Sequence, residues 1–219
     1  MTGKLIVIDG LDGSGKQTQT QLLYDRLTSQ GTPVRSVSFP DYKEPSSALV
    51  KMYLAGELGQ AEEVSAYAAS SFYAVDRYAS YNKFWKNDYL SGYTIIADRY
   101  ATSNIIHQMS KLPKEQWKDF LCWMEDFEYS KLALPRPDRV IYLDMNPEVS
   151  RELLSRRYHG DEKKKDIHEA NFNYLLKCRD CALYAAQHLL WKVVRCSDEK
   201  APYPVRQIAQ MVYEAAKLD

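Results

Sequence analysis

Along this chain, short unbroken apolar runs alternate with longer stretches in which apolar side chains recur every three or four positions. The first kind marks strands covered on both faces, and the second marks helices that bury one side. Leu5-Ile6-Val7-Ile8 forms the centre of a strand over 4–9, and a glycine-rich turn from Gly10 to Gly15 follows. Leu22, Leu23 and Leu27 then space out a helix from Lys16 to about Ser29, with Gly31 as its stop. Further strands are predicted over 34–39 (ended by Pro40), 93–97, 139–145 and 191–196. Between and after them the spacing predicts helices over 45–56, 62–89, 102–110, 114–131, 147–157, 167–190 and 204–218. Strands that alternate with helices argue an α/β fold, a five-stranded parallel sheet with helices on both faces. Such sheets bind ligands beyond the carboxyl ends of their strands. The residues just after Ile8, Phe39, Ala97, Met145 and Cys196 are therefore the ones to inspect.

Composition narrows the partners. The 219 residues, 45% of them apolar, suit one compact domain spanning 1–219. Lys+Arg and Asp+Glu both number 29. A balanced chain is a poor binder of polyanions, so small molecules are expected rather than a nucleic-acid polymer. No apolar run approaches the ~18 residues of a membrane span. The chain opens Met1-Thr2-Gly3-Lys4 and passes directly into a strand pattern, without the features of a signal peptide. The expectation is no membrane association and a cytoplasmic location. Among Cys122, Cys178, Cys181 and Cys196, the pair Cys178–Cys181 forms a CxxC. Zinc would need two more ligands at matching spacing, so the pair reads as reduced thiols on a helix face.

The chemistry begins at the first turn. Gly10-Leu11-Asp12-Gly13-Ser14-Gly15-Lys16 has the GxxxxGK pattern of a phosphate-binding loop, and it lies between a predicted strand and a predicted helix. Glycines let consecutive backbone N–H groups turn inward onto phosphate oxygens, and the helix N-terminus adds partial positive charge. Lys16 would reach the terminal phosphates of ATP. The pattern usually continues with Ser or Thr as a magnesium ligand, whereas here Gln17 comes next and Thr18 after it. Mg2+ would then rest on carboxylates, phosphate oxygens and water.

The acceptor is announced by a set of motifs in order. They are Asp9 through Lys16, Phe39-Pro40-Asp41-Tyr42, Tyr53-Leu54-Ala55-Gly56-Glu57-Leu58-Gly59, Tyr73-Ala74-Val75-Asp76-Arg77, and Asp98-Arg99-Tyr100-Ala101-Thr102-Ser103-Asn104. In this order and spacing the chain resembles the thymidylate kinase family, over most of its length. The resemblance implies a P-loop NTPase fold, ATP and Mg2+ as cofactors, dTMP as acceptor and a homodimer. It implies that Arg99 holds the acceptor phosphate, which a planar guanidinium grips at two points. It also implies that Arg77 bonds a thymine carbonyl, that Tyr73 stacks on the ring, and that Asn104 faces the base. Pro40, Tyr42 and Ser103 would line the acceptor pocket, with His107 near the sugar. Asp12 would sit by the 3′-hydroxyl and the transferring phosphate, and Asp98 by the metal or its water shell. The adenine would lie near the turn 197–202.

Arg156, Arg157, Lys163, Lys164 and Lys165 alternate with acidic residues between 156 and 169. In this family the segment matches a lid that closes over ATP and excludes water. Thymidylate kinases place a catalytic arginine either in the phosphate loop or in the lid. The loop here carries none, which points to the lid, to Arg156 or Arg157 first and a lid lysine behind them. A deoxynucleoside kinase is the nearest rival, with Asp41 or Glu44 as its base. A P-loop nucleotide-binding regulator is the rival of another kind, and the chain lacks the NKxD tetrapeptide that reads guanine.

Overall fold

The computed structural model describes residues 2–157 and 172–218, with the side chains of 154–157 outside that description. Its centre is a parallel sheet of β1 (Lys4–Gly10), β2 (Val34–Ser38), β3 (Thr94–Asp98), β4 (Arg139–Asp144) and β5 (Lys192–Arg195). The strand order is β2-β3-β1-β4-β5. The chain therefore leaves β1 for one side of the sheet, and later returns to the other. The carboxyl end of β1 lies where those two directions part, the place where such sheets open a crevice.

Both faces of the central strands β3, β1 and β4 are buried, which is why these read as unbroken apolar runs, whereas β2 and β5 at the edges are partly exposed. Leu5, Val7, Ile95, Ala97, Val140 and Tyr142 point into one core. Ile6, Ile8, Ile96, Ile141, Leu143 and Val194 point into the other. The second core is closed by α1 (Lys16–Ser29) and α9 (Val205–Ala216). The first is closed by α5 (Thr102–His107), α6 (Trp117–Glu125) and α8 (Phe172–His188). Full burial of each aliphatic side chain contributes ~1.5–3 kcal/mol, so a one-residue slip of β1 would be costly on both sides.

The helical segments are more broken than the spacing predicts. The segment over 45–56 divides into a 3-10 turn, Pro45–Ser47, and α2 (Ala48–Leu54). The long helix starts at α3 (Ala66–Ser80), because Ser65 caps it with its side chain accepting from Ala68 N. It then passes through a π turn, Tyr81–Trp85, into α4 (Lys86–Leu90). The helix at 102 ends at His107, and a 3-10 turn at Met109–Lys111 finishes it ahead of Pro113. α6 likewise gives way to a π turn, Asp126–Lys131. Pro147–Arg157 forms α7. Among the described residues no helix is long and apolar enough to cross a membrane.

Candidate active site

The turn after β1 is shaped by its glycines. Gly15 has φ +86°, in the left-handed region that favours glycine, and it caps α1. A Cβ on Gly10 would stand 2.6 Å from Ser14 Oγ and 2.9 Å from Leu143 O, so only glycine fits the loop against β4. Inside the turn Lys16 Nζ donates to Leu11 O at 2.9 Å and lies 3.6 Å from Asp12 Oδ1. Burial, and then the nearby Arg99 cation, pull the Lys16 ammonium below the usual lysine range. An anionic phosphate beside it would reverse that cost. From α7, the buried Ser150 donates its hydroxyl to Asp12 O and ties the loop to the neighbouring helix.

Across from this loop, β3 ends in Asp98 and Arg99. Arg99 has φ +65°, an unfavourable region for a residue with a Cβ, worth ~1–3 kcal/mol of strain. In that conformation its Nη2 donates to Asp12 Oδ1, while Nη1 stands 3.1 Å from His107 Nε2 and 3.4 Å from Ser103 Oγ. A guanidinium can only donate, so His107 Nε2 is the acceptor in that pair. Burial alone would lower the Arg99 pKa, but Asp12, Asp9 and Asp98 together raise it and keep the cation charged. Asp9 is itself fully buried. It accepts from Gly10 N at 2.8 Å, Thr102 Oγ1 at 2.7 Å and Ser103 Oγ at 2.8 Å, which fastens the start of α5 to β1.

Beyond Arg99 the cleft deepens between α3 and α5. Tyr73 and Arg77 are one turn apart on α3, and Tyr73 meets Tyr53 edge-on with ring centroids 6.4 Å apart. Arg77 is 2% exposed and makes a two-point ion pair with the fully buried Glu128. Removing one partner of such a buried pair costs about 3–5 kcal/mol. Asn104 on α5 donates to the same Glu128 at 2.9 Å. The wall toward β2 is formed by Phe39 and Pro40, joined by a cis peptide bond, and by the half-exposed Tyr42. Asp76 anchors the loop that follows, accepting from Asp41 N at 2.8 Å and Ser46 Oγ at 2.6 Å.

One cleft of ≈ 1000 Å³ joins these parts. Its lining takes in Asp12, Gly13, Gly15, Lys16, Gln17 and Thr18 at the loop end. At the other end come Pro40, Tyr42, Tyr73, Arg77, Asp98, Arg99, Ser103, Asn104 and His107. Gly10 and Ser14 sit behind the loop rather than in its lining, both tightly packed. Arg156 and Arg157, expected in the lid, lie outside the described side chains, and the rest of the lid segment to 169 lies outside the described residues. The turn after β5 is held by a bridge between Ser197 and Pro202 and by Asp198 Oδ1 accepting from Lys200 N and Ala201 N, and it does not line this cleft. Cys178, Cys181 and Cys196 are buried free thiols. Burial pushes Cys178 and Cys196 up to about 12.

Four residues of the site carry no sequence signal of the role they take. Glu128 reads as one more acid in an amphipathic helix, and Asp9 as the end of a strand. Ser150 reads as a polar helix residue, and Gln108 as the tail of another helix. Gln108 lines the cleft with a buried Oε1 that has no partner among the described residues.

A glycine-built phosphate loop at the parting of a parallel sheet, facing a pocket with one buried and one partly buried arginine, defines a P-loop phosphotransferase of the nucleotide-kinase kind. The sequence profile described as "Thymidylate kinase" matches residues 8–202. Thymidylate kinase of Mycobacterium tuberculosis is 31% identical over 187 residues, covering 83% of this chain and 84% of its own. That of Schizosaccharomyces pombe is 32% identical over 165 residues, covering 75% and 70%. The solved structure of Candida albicans thymidylate kinase superposes with a TM-score of 0.70 at 25% identity, covering 97% of this chain and 90% of that one. The chain belongs to the thymidylate kinase family, whose members are phosphotransferases with ATP as donor.

Proposed function

We propose that the chain moves the γ-phosphate of ATP onto dTMP, giving dTDP and ADP, with Arg99 orienting the acceptor phosphate and Arg77, Asn104 and Tyr73 holding the thymine. The observation that carries this reading is that Lys16 and Arg99 meet on Asp12, so donor loop and acceptor grip share one carboxylate at the centre of a single cleft. The acceptor phosphate is already anionic near neutral pH and needs no general base. Catalysis is then positioning and charge stabilisation. A bound phosphate would compete for the Arg99 fork now shared by Asp12, Ser103 and His107.

Asp98 Oδ1 is buried and has no hydrogen-bond partner among the described residues, which suits an oxygen aimed at a cation or its water shell. Burial raises the Asp98 pKa, although Lys16 and Arg99 oppose the shift, and a nearby cation would pull it down further. Mg2+ would be held there through water, with Gln17 and Thr18 beside the donor loop, and would neutralise charge on the donor phosphates. Arg156 or Arg157 would supply the catalytic cation from a lid over 156–169. The chain acts as one domain over 1–219, as a homodimer in the cytoplasm.

The deoxynucleoside-kinase reading loses ground on geometry. Glu44 is paired with Lys83 at 2.6 Å, Asp41 Oδ1 accepts from Lys43 N at 3.3 Å, and neither residue lines the cleft. An ATP-consumption assay across the nucleoside monophosphates, with thymidine beside dTMP, tests the assignment. Preference for a purine monophosphate, or for thymidine, would end it.

A further inference from the structure

Arg77 and Asn104 both line the base end of the cleft, and both are held from behind by one carboxylate. Glu128 lies fully buried in the π turn Asp126–Lys131. Single π turns inside helices often mark functional positions, because the extra residue re-aims a side chain. Glu128 Oε2 accepts from Arg77 Nε at 2.8 Å, and Oε1 accepts from Arg77 Nη2 and, at 2.9 Å, from Asn104 Nδ2. The second acceptor on Asn104 Nδ2 is Ser70 O, at 3.2 Å.

The oxygen and nitrogen of an amide are told apart by their partners. A carboxylate and a peptide carbonyl can only accept. Together they hold the NH2 of Asn104 away from the cleft, which leaves Oδ1 for the cleft that Asn104 lines. Arg77 commits Nε and Nη2 to Glu128, and its Nη1 has no partner among the described residues.

We infer that Glu128 is a positioning residue that sets the polarity of the base pocket, one acceptor at Asn104 Oδ1 beside one donor at Arg77 Nη1. This pair complements a pyrimidine that carries N3–H next to a 4-carbonyl. A 4-amino pyrimidine offers an unprotonated N3 and an amino donor, so it meets acceptor with acceptor possibilities and donor with donor. The inference rests on the dTMP reading of the cleft. In Glu128→Gln, an NH2 takes the place of one of the two carboxylate oxygens and sets donor against donor in either orientation: against Arg77 Nε at the Oε2 place, or against Arg77 Nη2 and Asn104 Nδ2 together at the Oε1 place. Either way the acceptor–donor pair loses part of what holds it in place.

The test is kcat/KM for dTMP and for dCMP at saturating ATP, in the wild type and in Glu128→Gln, with the ATP KM measured alongside. The dTMP-to-dCMP ratio is expected to fall about 10- to 100-fold, with the ATP KM unchanged. A merely structural role would slow both acceptors alike and leave the ratio where it was. An unchanged ratio in a folded variant overturns the role of Glu128 and leaves the dTMP assignment intact. A wild type without preference for dTMP over dCMP overturns the assignment, and the inference with it. If the Gln variant does not fold, Glu128→Asp decides. It keeps the charge against Arg77 but is one methylene too short to reach Asn104 as well. The same fall in ratio is expected, and an unchanged ratio overturns the inference.

Discussion

The two ends of the cleft are built by opposite means. The donor end is a contiguous stretch, Gly10 to Lys16, whose binding groups are mostly backbone N–H, and its shape comes from glycines that fit where no side chain could. The acceptor end is side chains gathered from β3, α3, α5 and the turn after α6, and several of them are buried charges. A backbone cradle is cheap to desolvate and tolerates changes in its flanking side chains. A network of buried ions pays for orientation with desolvation, so each member depends on the others. Single substitutions should therefore be local at the donor end and collective at the acceptor end.

The largest effect is expected from the lid cation proposed for the donor end. Arg156→Ala and Arg157→Ala, made separately, should lower kcat by about 10³–10⁵ in at least one case, with a smaller change in dTMP KM. Steady-state kinetics of both variants reads this out, and near-normal kcat in both would place the catalytic cation elsewhere. Next comes the junction of the two ends. Arg99→Ala should raise dTMP KM and lower kcat together by about 10²-fold, because a loosely held phosphate is rarely in line with the donor. Arg99→Lys should rescue little, since an ammonium loses the two-point grip. Calorimetric titration should show dTMP binding lost and ATP binding kept. If ATP binding fell equally, the two ends would not be separable through Asp12.

A smaller effect sharpens the acceptor side alone. dUMP lacks only the 5-methyl of dTMP, worth about 1–3 kcal/mol in an apolar pocket, so its kcat/KM should trail by roughly 5- to 150-fold. Initial rates with the two acceptors settle it, and equal rates would mean that nothing packs on the methyl group. The smallest effect concerns stability. Burial raises the Asp98 pKa. The folded state therefore binds that proton more tightly than the unfolded chain, and stability is lost as pH rises through the folded-state value. Asp98→Asn should raise Tm by about 2–4 °C at neutral pH and lose that advantage in acid. Turnover at limiting Mg2+ should fall in the same variant. Melting curves across pH check the first half, and a Tm gain that persists unchanged in acid would refute the ionisation argument.

The strands and the phosphate loop were legible because their signals are local. A short unbroken apolar run from Leu5 to Ile8, closed by a glycine-rich turn, reads as a strand covered on both sides, and Gly10 to Lys16 forms one contiguous turn. Arg99, Arg77 and Asn104 were legible as members of ordered motifs, and the fold does bring them into one cleft. The breaks in the helices were less visible, since a π turn at Asp126–Lys131 keeps helical spacing while shifting which side chain faces inward. Asp9 and Glu128 were not legible as partners at all. Nothing in a one-dimensional pattern says that Glu128 will meet Arg77, 51 positions away, and Asn104, 24 positions away. The sequence alone determined the fold class, the donor loop and the identity of the cationic side chains, because each depends on periodicity or on residues adjacent in the chain. Tertiary structure alone decided which way those side chains present their donors and acceptors, because hydrogen-bond polarity is set by the buried group behind a side chain, and that neighbour comes from another element.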